Sequence, residues 1–414
     1  MASTSLSRTP SSAGNRKTFT ISLWTKLSNI STARKVFINA GTATPFTNDA
    51  QTELQYRDNQ IKFGGGADNI LITTALYRDV SAWYHIVLSV DTTQATASDR
   101  LKLYVNGEQV TAFATANYPS QNDNYAFNNN VIHYIGSNLD GASSFFDGNM
   151  AHFNSIDGTA YPASAFGETN AASGIWTPLA SPSVTYGTNG FFLKFGSSGA
   201  LGTDSSGNSN TFTVNGSGTQ TQDAPSNVFS TMNPLDNFYA SSTFSNGNNT
   251  IVTNSGNYTY NSSTLAFSSG KYYCEAKLVS ASAEDIIGIS SKLATSSTVI
   301  MGSNVYSQGY RSGGNSYTNN VQSSYGSSYT TGDIIGLAID ADNQKLYFSK
   351  NGVFQNSGVP TSGATGTGAL SFPTDNDGVY YITMYDIDGG GSCTWSTNFG
   401  NGYFGTTAVA SGNA

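Results

Sequence analysis

Residues 333–354 read DIIGLAIDADNQKLYFSKNGVF. The first part is a buried strand that ends at Asp340. The second places Leu346 and Phe348 on one side and then turns on Asn351–Gly352. Asn-Gly between alternating runs is the strongest short hairpin signal, because both central residues of the tight turn take positive φ. The same order stands earlier in the chain. WYHIVLSVD ends at Asp91, and RLKLYVNGEQV places Leu101, Leu103 and Val105 inward before Asn106–Gly107. Two copies of strand–Asp–loop–strand–Asn-Gly–strand predict two all-β domains of similar build. They are not a sequence repeat, since little else aligns.

The rest of the chain agrees. TFTISLWTKL alternates Phe19, Ile21 and Leu23 with Thr18, Thr20 and Ser22. No segment holds a 3.6-residue period, and the best helix candidate is one short turn near Pro162–Phe166. Charged residues are 11% of the 414, against about 25% in an ordinary domain. Ser, Thr, Asn and Gly supply the polarity, and they disfavour long helices. The expected fold is two antiparallel β-sandwiches, residues 1–198 and 232–414, joined by an ordered Gly/Ser/Asn-rich strap at 199–231. Phe212, Val214, Val228 and Phe229 would dock that strap.

Several function classes drop out. The net charge is −8 and no basic cluster exists, so a nucleic-acid groove is not expected. The start lacks an apolar signal segment and no run is long enough to span a bilayer, so neither secretion nor membrane insertion is expected. A retaining glycosidase needs two carboxyl groups about 5–5.5 Å apart. Glu53, Glu108, Glu168, Glu275 and Glu284 are scattered, and Glu53 and Asp58 fall on opposite faces of one strand. His85, His133 and His152 are isolated; His85 and His133 sit mid-strand and read as structural. GGGADN at 64–69 has no following helix and reads as a hairpin turn. The protein is therefore not expected to be an enzyme.

Candidate binding groups remain. The stretch 308–333 carries Tyr310, Tyr317, Tyr325 and Tyr329 among Ser, Gly and Asn. Two readings fit: hairpin and loop filling, with Gly313–Gly314 as a turn, or a recognition surface whose rings stack on sugars. Asp140 and Asp147 could serve one Ca²⁺ at a sandwich rim, as could Asp386 and Asp388, although Asp-Gly is also ordinary turn chemistry. No other cofactor is expected. Cys274 and Cys393 both fall on inward faces and read as buried thiols or as a disulfide between neighbouring strands.

A family likeness rests on these motifs. FTISLWTKLS, WYHIVLSVD, RLKLYVNGEQV and FFDGNMAHFNSIDGTAYPASAFGE resemble the laminin-G-like, concanavalin A-like sandwich. SSGKYYCEAKL, TTGDIIGLAIDADNQKLYFSKNGVF and CTWSTNFG resemble a SPRY domain. The opening LSRTPSSAGNRKTFT and the strap through DAPSNVFSTMNPLD are similar to structural proteins of tailed bacteriophages that join two such modules. The resemblance implies a virion component made in the host cytoplasm and displayed on the particle as a homo-oligomer. Its leading role would be a tail fibre or appendage binding a host surface polysaccharide. The alternative is a capsid decoration or tail adaptor whose partners are other virion proteins, with a polysaccharide-degrading enzyme more remote.

Overall fold

In a computed structural model, the chain is described over residues 3–409 except 43–46, 48, 66–67, 237–241, 255–257, 293–295, 297–298, 374–376 and 387–390. It forms antiparallel β-sandwiches in two compact units. The first comprises Met1–Gln220 and Ala224–Val228, the second Thr221–Asp223 and Phe229–Ala414.

The first unit packs two sheets face to face. One has eight strands, in the order Phe113–Ala116, Asp68–Thr73, Gln60–Gly65, Gln51–Arg57, Lys35–Gly41, His133–Ile135, Ser5–Arg8, Thr213–Asn215. The other has six, in the order Phe191–Leu193, Gly148–Asp157, Thr18–Leu27, Trp83–Asp91, Leu101–Val105, Glu108–Gln109. Phe19, Ile21, Leu23, Leu101 and Leu103 meet Leu54, Tyr56, Phe63 and Leu71 in one core. The strap enters this unit. Thr213–Asn215 adds an edge strand beside Ser5–Arg8, and Phe212 packs on Phe191 in the core. The helical turn expected at Pro162 is a single 3-10 turn, Ala163–Ala165. Within the GGGADN stretch Gly64 pairs with Asn69 and Gly65 with Asp68, and residues 66–67, where the turn is expected, lie outside the described residues.

The second unit repeats the plan. Its larger sheet runs Thr243–Ser245, Thr250–Val252, Thr394–Asn398, Lys271–Ser280, Ile334–Asp340, Lys345–Lys350, Val353–Phe354, with Leu370–Ser371 also on Lys345–Lys350. Its six-stranded sheet runs Thr259–Phe267, Tyr380–Asp386, Asp285–Ser290, Ser307–Arg311, Asn315–Thr318, Val321–Ser324. Leu346 and Phe348 are fully buried, beside Leu337, Ile339 and Trp395.

The two Asn-Gly turns use one device. Asn106 and Gly107 sit at φ 50° and 88°, and Asn351 and Gly352 at 49° and 83°. Each Asn side chain then accepts a backbone N–H from the neighbouring strand, His85 N in the first unit and Ile334 N in the second, both at 2.8 Å. Left-handed backbone costs an ordinary residue roughly 1–2 kcal/mol; Asn and Gly tolerate it, and the amide bond ties the turn to the sheet.

Both cysteines are buried and free. Cys393 precedes Thr394, the partner of Ser280, whereas Cys274 lies level with the far end of that strand pair. The separation is roughly 20 Å at about 3.3 Å per residue. A disulfide is out of reach, and the thiol reading stands.

Candidate functional site

The four tyrosines of 308–333 lie inside the second unit, with 7% exposure or less each. The hairpin about Gly313–Gly314 forms, pairing Gln308 with Thr318. Tyr310 and Tyr317 point to opposite faces of their sheet: Tyr310 enters the main core, and Tyr317 packs with Ile286, Met301 and Tyr385. The loop after the hairpin folds back and inserts Tyr325 and Tyr329 beside Tyr310, at ring distances of 5.5 and 5.1 Å. Each hydroxyl of the three clustered rings has a partner in the protein. Tyr310 donates to Ser327 O, Tyr325 accepts from Phe348 N, and Tyr329 lies 2.9 and 2.8 Å from Asp285 O and Tyr310 O. These rings have no free face for a sugar. The recognition-surface reading of Tyr310, Tyr317, Tyr325 and Tyr329 is corrected: they pack inside the unit, because the one aliphatic residue of this stretch, Val321, is exposed.

The rim carboxylates are also committed. Asp140 Oδ1 accepts the backbone N–H groups of Ala142 and Ser143 at 2.9 and 3.0 Å, and Oδ2 accepts Ser143 Oγ at 2.7 Å. These bonds hold its carboxyl below the usual range. Asp147 accepts Asn29 Nδ2. Lys35, attracted to Asp147, places its ammonium against Asn29 O, Asn29 Oδ1 and Ser31 Oγ at 3.1, 2.7 and 3.2 Å. The Asn29 and Ser31 oxygens beside Asp147 thus surround a lysine, and Asp140 caps its own loop. Asp388 lies outside the described residues.

The more developed site is on the outer face of the first unit's eight-stranded sheet. On strand Gln51–Arg57, Leu54 and Tyr56 enter the core, so Gln51, Glu53 and Gln55 face outward. They are nevertheless 6%, 6% and 3% exposed. Asn39, fully buried, is the direct partner of Glu53 on one side, and Gly64 is its partner on the other. Tyr134, half-buried, is the partner of Asn39. One row thus runs Tyr134–Asn39–Glu53–Gly64, spanning roughly 14 Å at about 4.8 Å per strand.

The Arg34 guanidinium pairs with the Glu53 carboxylate and bonds Asn138 Oδ1 at 3.0 Å; Asn39 Nδ2 reaches the same oxygen at 3.3 Å. Gln55 Nε2 donates to Glu53 Oε1 at 2.7 Å. Burial pushes the Glu53 carboxyl up, against the pull of Arg34 and Arg57. Four polar atoms of this patch are buried without a hydrogen-bond partner among the described residues: Arg34 Nε, Asn39 Oδ1, Gln51 Oε1 and Gln55 Oε1. Each such atom costs about 1–3 kcal/mol when left unmet. Three acceptors and one donor, unmet among the described residues, thus lie just beneath this face, in the row that Tyr134 ends. The ELQY alternation that builds it was visible in sequence; Arg34, Asn39 and Asn138 come from other strands and loops.

His85 is structural. Trp24 stacks on it at 4.6 Å, Ser22 Oγ lies 2.9 Å from Nε2, and Trp176 Nε1 donates to Nδ1 at 2.9 Å. Burial pulls its pKa down to about 3.

Residues 2–160 match the family model of the concanavalin A-like lectin/glucanases superfamily, and residues 271–374 match that of the SPRY domain. The chain carries a concanavalin A-like domain and a SPRY domain. Among solved structures, the SPRY domain of human HERC1 is 18% identical over 41% of this chain and 98% of its own, with TM-score 0.33. Stonustoxin is 17% identical over 41% of this chain and 27% of its own, with TM-score 0.31. No curated protein matches. Both domain kinds fit a binding role in general.

Proposed function

We propose that the protein is a non-catalytic recognition protein of a tailed-phage virion, a tail fibre or appendage that binds a host surface glycan through its concanavalin A-like domain. The observation that carries this reading is the buried polar row on the outer face of the first unit. Planar amides and a guanidinium pair with sugar hydroxyls, and Tyr134 offers a ring beside them. The one carboxylate of the row, Glu53, is held by Arg34 and by Gln55, which suits fixed hydrogen bonding better than proton transfer. The virion assignment rests on the sequence motifs and strap described above, and display in several copies would strengthen weak single contacts.

The test is binding of the full chain, presented multivalently, to an array of microbial glycans. Asn39→Ala and Gln55→Ala should each weaken binding at least about tenfold, the loss of one or two hydrogen bonds, with the melting temperature little changed. Binding that survives both changes overturns the assignment of the site, and saccharide release would overturn the non-catalytic reading.

One observation favours the decoration or adaptor alternative. Strand Val321–Ser324 is the outermost of its sheet and exposed along its whole length. It carries no Lys or Pro to block pairing, so a virion partner or another copy could add a strand there. Gln322→Pro should then abolish assembly, read by sedimentation, while glycan binding persists.

A further inference from the structure

One end of the second unit's core holds a polar group that glycan binding does not use. Asp285 opens strand Asp285–Ser290 and Asp386 closes strand Tyr380–Asp386; they are direct cross-strand partners and fully buried. Cys393, also fully buried, lies beside them. A carboxylate oxygen from each aspartate and Cys393 Sγ lie within 4.8 Å of one another. Their surroundings fix the carboxylates. Ser282 Oγ is 2.9 Å from Asp285 Oδ1 and from Asp386 Oδ1, Thr253 Oγ1 donates to Asp386 Oδ2, and Cys393 N lies 3.2 Å from that same oxygen. Burial raises the Asp285 carboxyl to about 6, with the Asp386 charge adding to it, and burial also pushes the Cys393 thiol up.

A second observation points to a missing ligand. Thr259 is the partner of Asp386 on its other side, so its side chain projects from the same face as both aspartates. It is fully buried, and its hydroxyl has no hydrogen-bond partner among the described residues. Asn261, two residues along on that face, is fully buried with both amide atoms unpaired among the described residues. The unmet Thr259 hydroxyl and Asn261 amide thus stand on the same face of the sheet as the two aspartates, with Thr259 directly beside Asp386.

We propose that Asp285, Asp386 and Cys393 bind one divalent transition-metal ion of the Zn²⁺ class, with the open fourth position facing the Thr259 hydroxyl. A thiolate with two carboxylates selects a borderline metal over Ca²⁺ or Mg²⁺. Zn–S near 2.3 Å and Zn–O near 2.0–2.2 Å put tetrahedral ligand atoms roughly 3.3–3.7 Å apart. The ligand atoms, at most 4.8 Å apart, therefore close by about 1.5 Å or less (4.8 − 3.3), a side-chain adjustment. Binding displaces the Cys393 thiol proton to solvent.

The experiment uses the full chain, stripped with chelator and titrated with Co²⁺ and Zn²⁺. The expected result is one Co²⁺ per chain with a thiolate-to-cobalt charge-transfer band, displaced by Zn²⁺. Proton release should be about one per metal at pH 8. Cys393→Ser should abolish the band and Cys274→Ser should leave it. Thr259→Val should keep the band but change its ligand-field spectrum. No stoichiometric Co²⁺, a band that survives Cys393→Ser, or binding of Ca²⁺ in preference to Co²⁺ would each overturn the proposal. Should Cys393→Ser fail to fold, the band in the unaltered chain still decides. Glycan binding should be indifferent to all of these changes, so the two readings fail separately.

Discussion

Replacing Tyr325 and Tyr329 with alanine separates a core role from a surface one. A surface pair would lose ligand and leave the fold intact. The structure predicts the opposite, because both rings pack on Tyr310, Tyr325 also contacts Phe348, and Tyr329 contacts Trp395 at 6.1 Å. Truncating a buried aromatic to alanine costs about 3–5 kcal/mol. The shared partner makes the pair less than additive, so the double change costs about 5–8 kcal/mol. That is comparable to the whole stability of a domain, about 5–15 kcal/mol. Tyr329→Phe isolates the hydroxyl. Its one proton is shared between Asp285 O and Tyr310 O, so the loss is about 1–2 kcal/mol.

Hydrogen exchange of the full chain across a urea series reads this by location. Peptides covering Ile334–Asp340 should lose protection in the double variant and shift slightly in Tyr329→Phe. Peptides covering Trp83–Asp91, in the other unit, should not move. Unchanged protection of Ile334–Asp340 in the double variant would refute the core placement, and equal loss in both peptides would refute its confinement to the second unit.

The first unit should weaken in acid. Burial holds His85 down to about 3 and His133 down to about 4, so the unfolded chain takes up these protons first. The stabilisation is complete above about pH 6.5 and fades as pH falls, by about 1.4 kcal/mol per pH unit for each imidazole; equal urea midpoints at pH 7 and pH 5 would contradict it. Gly107→Ala should cost more than Gly352→Ala, although both sit at positive φ. A Cβ at Gly107 would meet the Trp176 ring at 2.8 Å, while one at Gly352 meets nothing within 4 Å. The difference is about 1–3 kcal/mol of overpacking, read as separate unfolding midpoints of the two units. Gln355→Ala should loosen the fold-back loop, since Gln355 Oε1 accepts Ser327 N at 2.8 Å, and faster exchange at 325–330 is the readout.

Local rules made the scaffold legible. The Asn-Gly turns, the strand ends at Asp91 and Asp340 and the inward pairs Leu101/Leu103 and Leu346/Phe348 all follow from positive φ and a two-residue period. Strand Val321–Ser324 was missed because VQSS has one apolar residue. Its signal was Asn319–Asn320, both at positive φ, 45° and 62°, which make a turn like Asn-Gly. The site was less legible. Gln51, Glu53 and Gln55 alternate in plain view, but alternation says outward, and only the folded sheet shows that this outward face is buried. Asp285 meets Asp386 across strands about a hundred residues apart in sequence, so although Cys393 follows Asp386 by seven residues, no local spacing joins all three.

The same limit explains the tyrosines, and it accounts for the composition as well. A loop poor in aliphatic residues has two needs when it crosses a core: apolar area, and partners for its own backbone. A tyrosine supplies both, a ring to bury and a hydroxyl that can donate to a carbonyl or accept an N–H. Tyr310 ties down Ser327, Tyr325 ties Phe348, and Tyr329 ties Asp285 and Tyr310. In the first unit Tyr56 does the same for Tyr77 O at 2.9 Å and Asn59 Oδ1 at 2.9 Å. A Tyr-rich, Lys-poor stretch is thus ambiguous by itself: the residue that best suits an adaptable binding surface is also the one that best pins a polar loop to a core. What resolves it is the fate of the hydroxyl, met here by the protein's own backbone rather than left facing solvent.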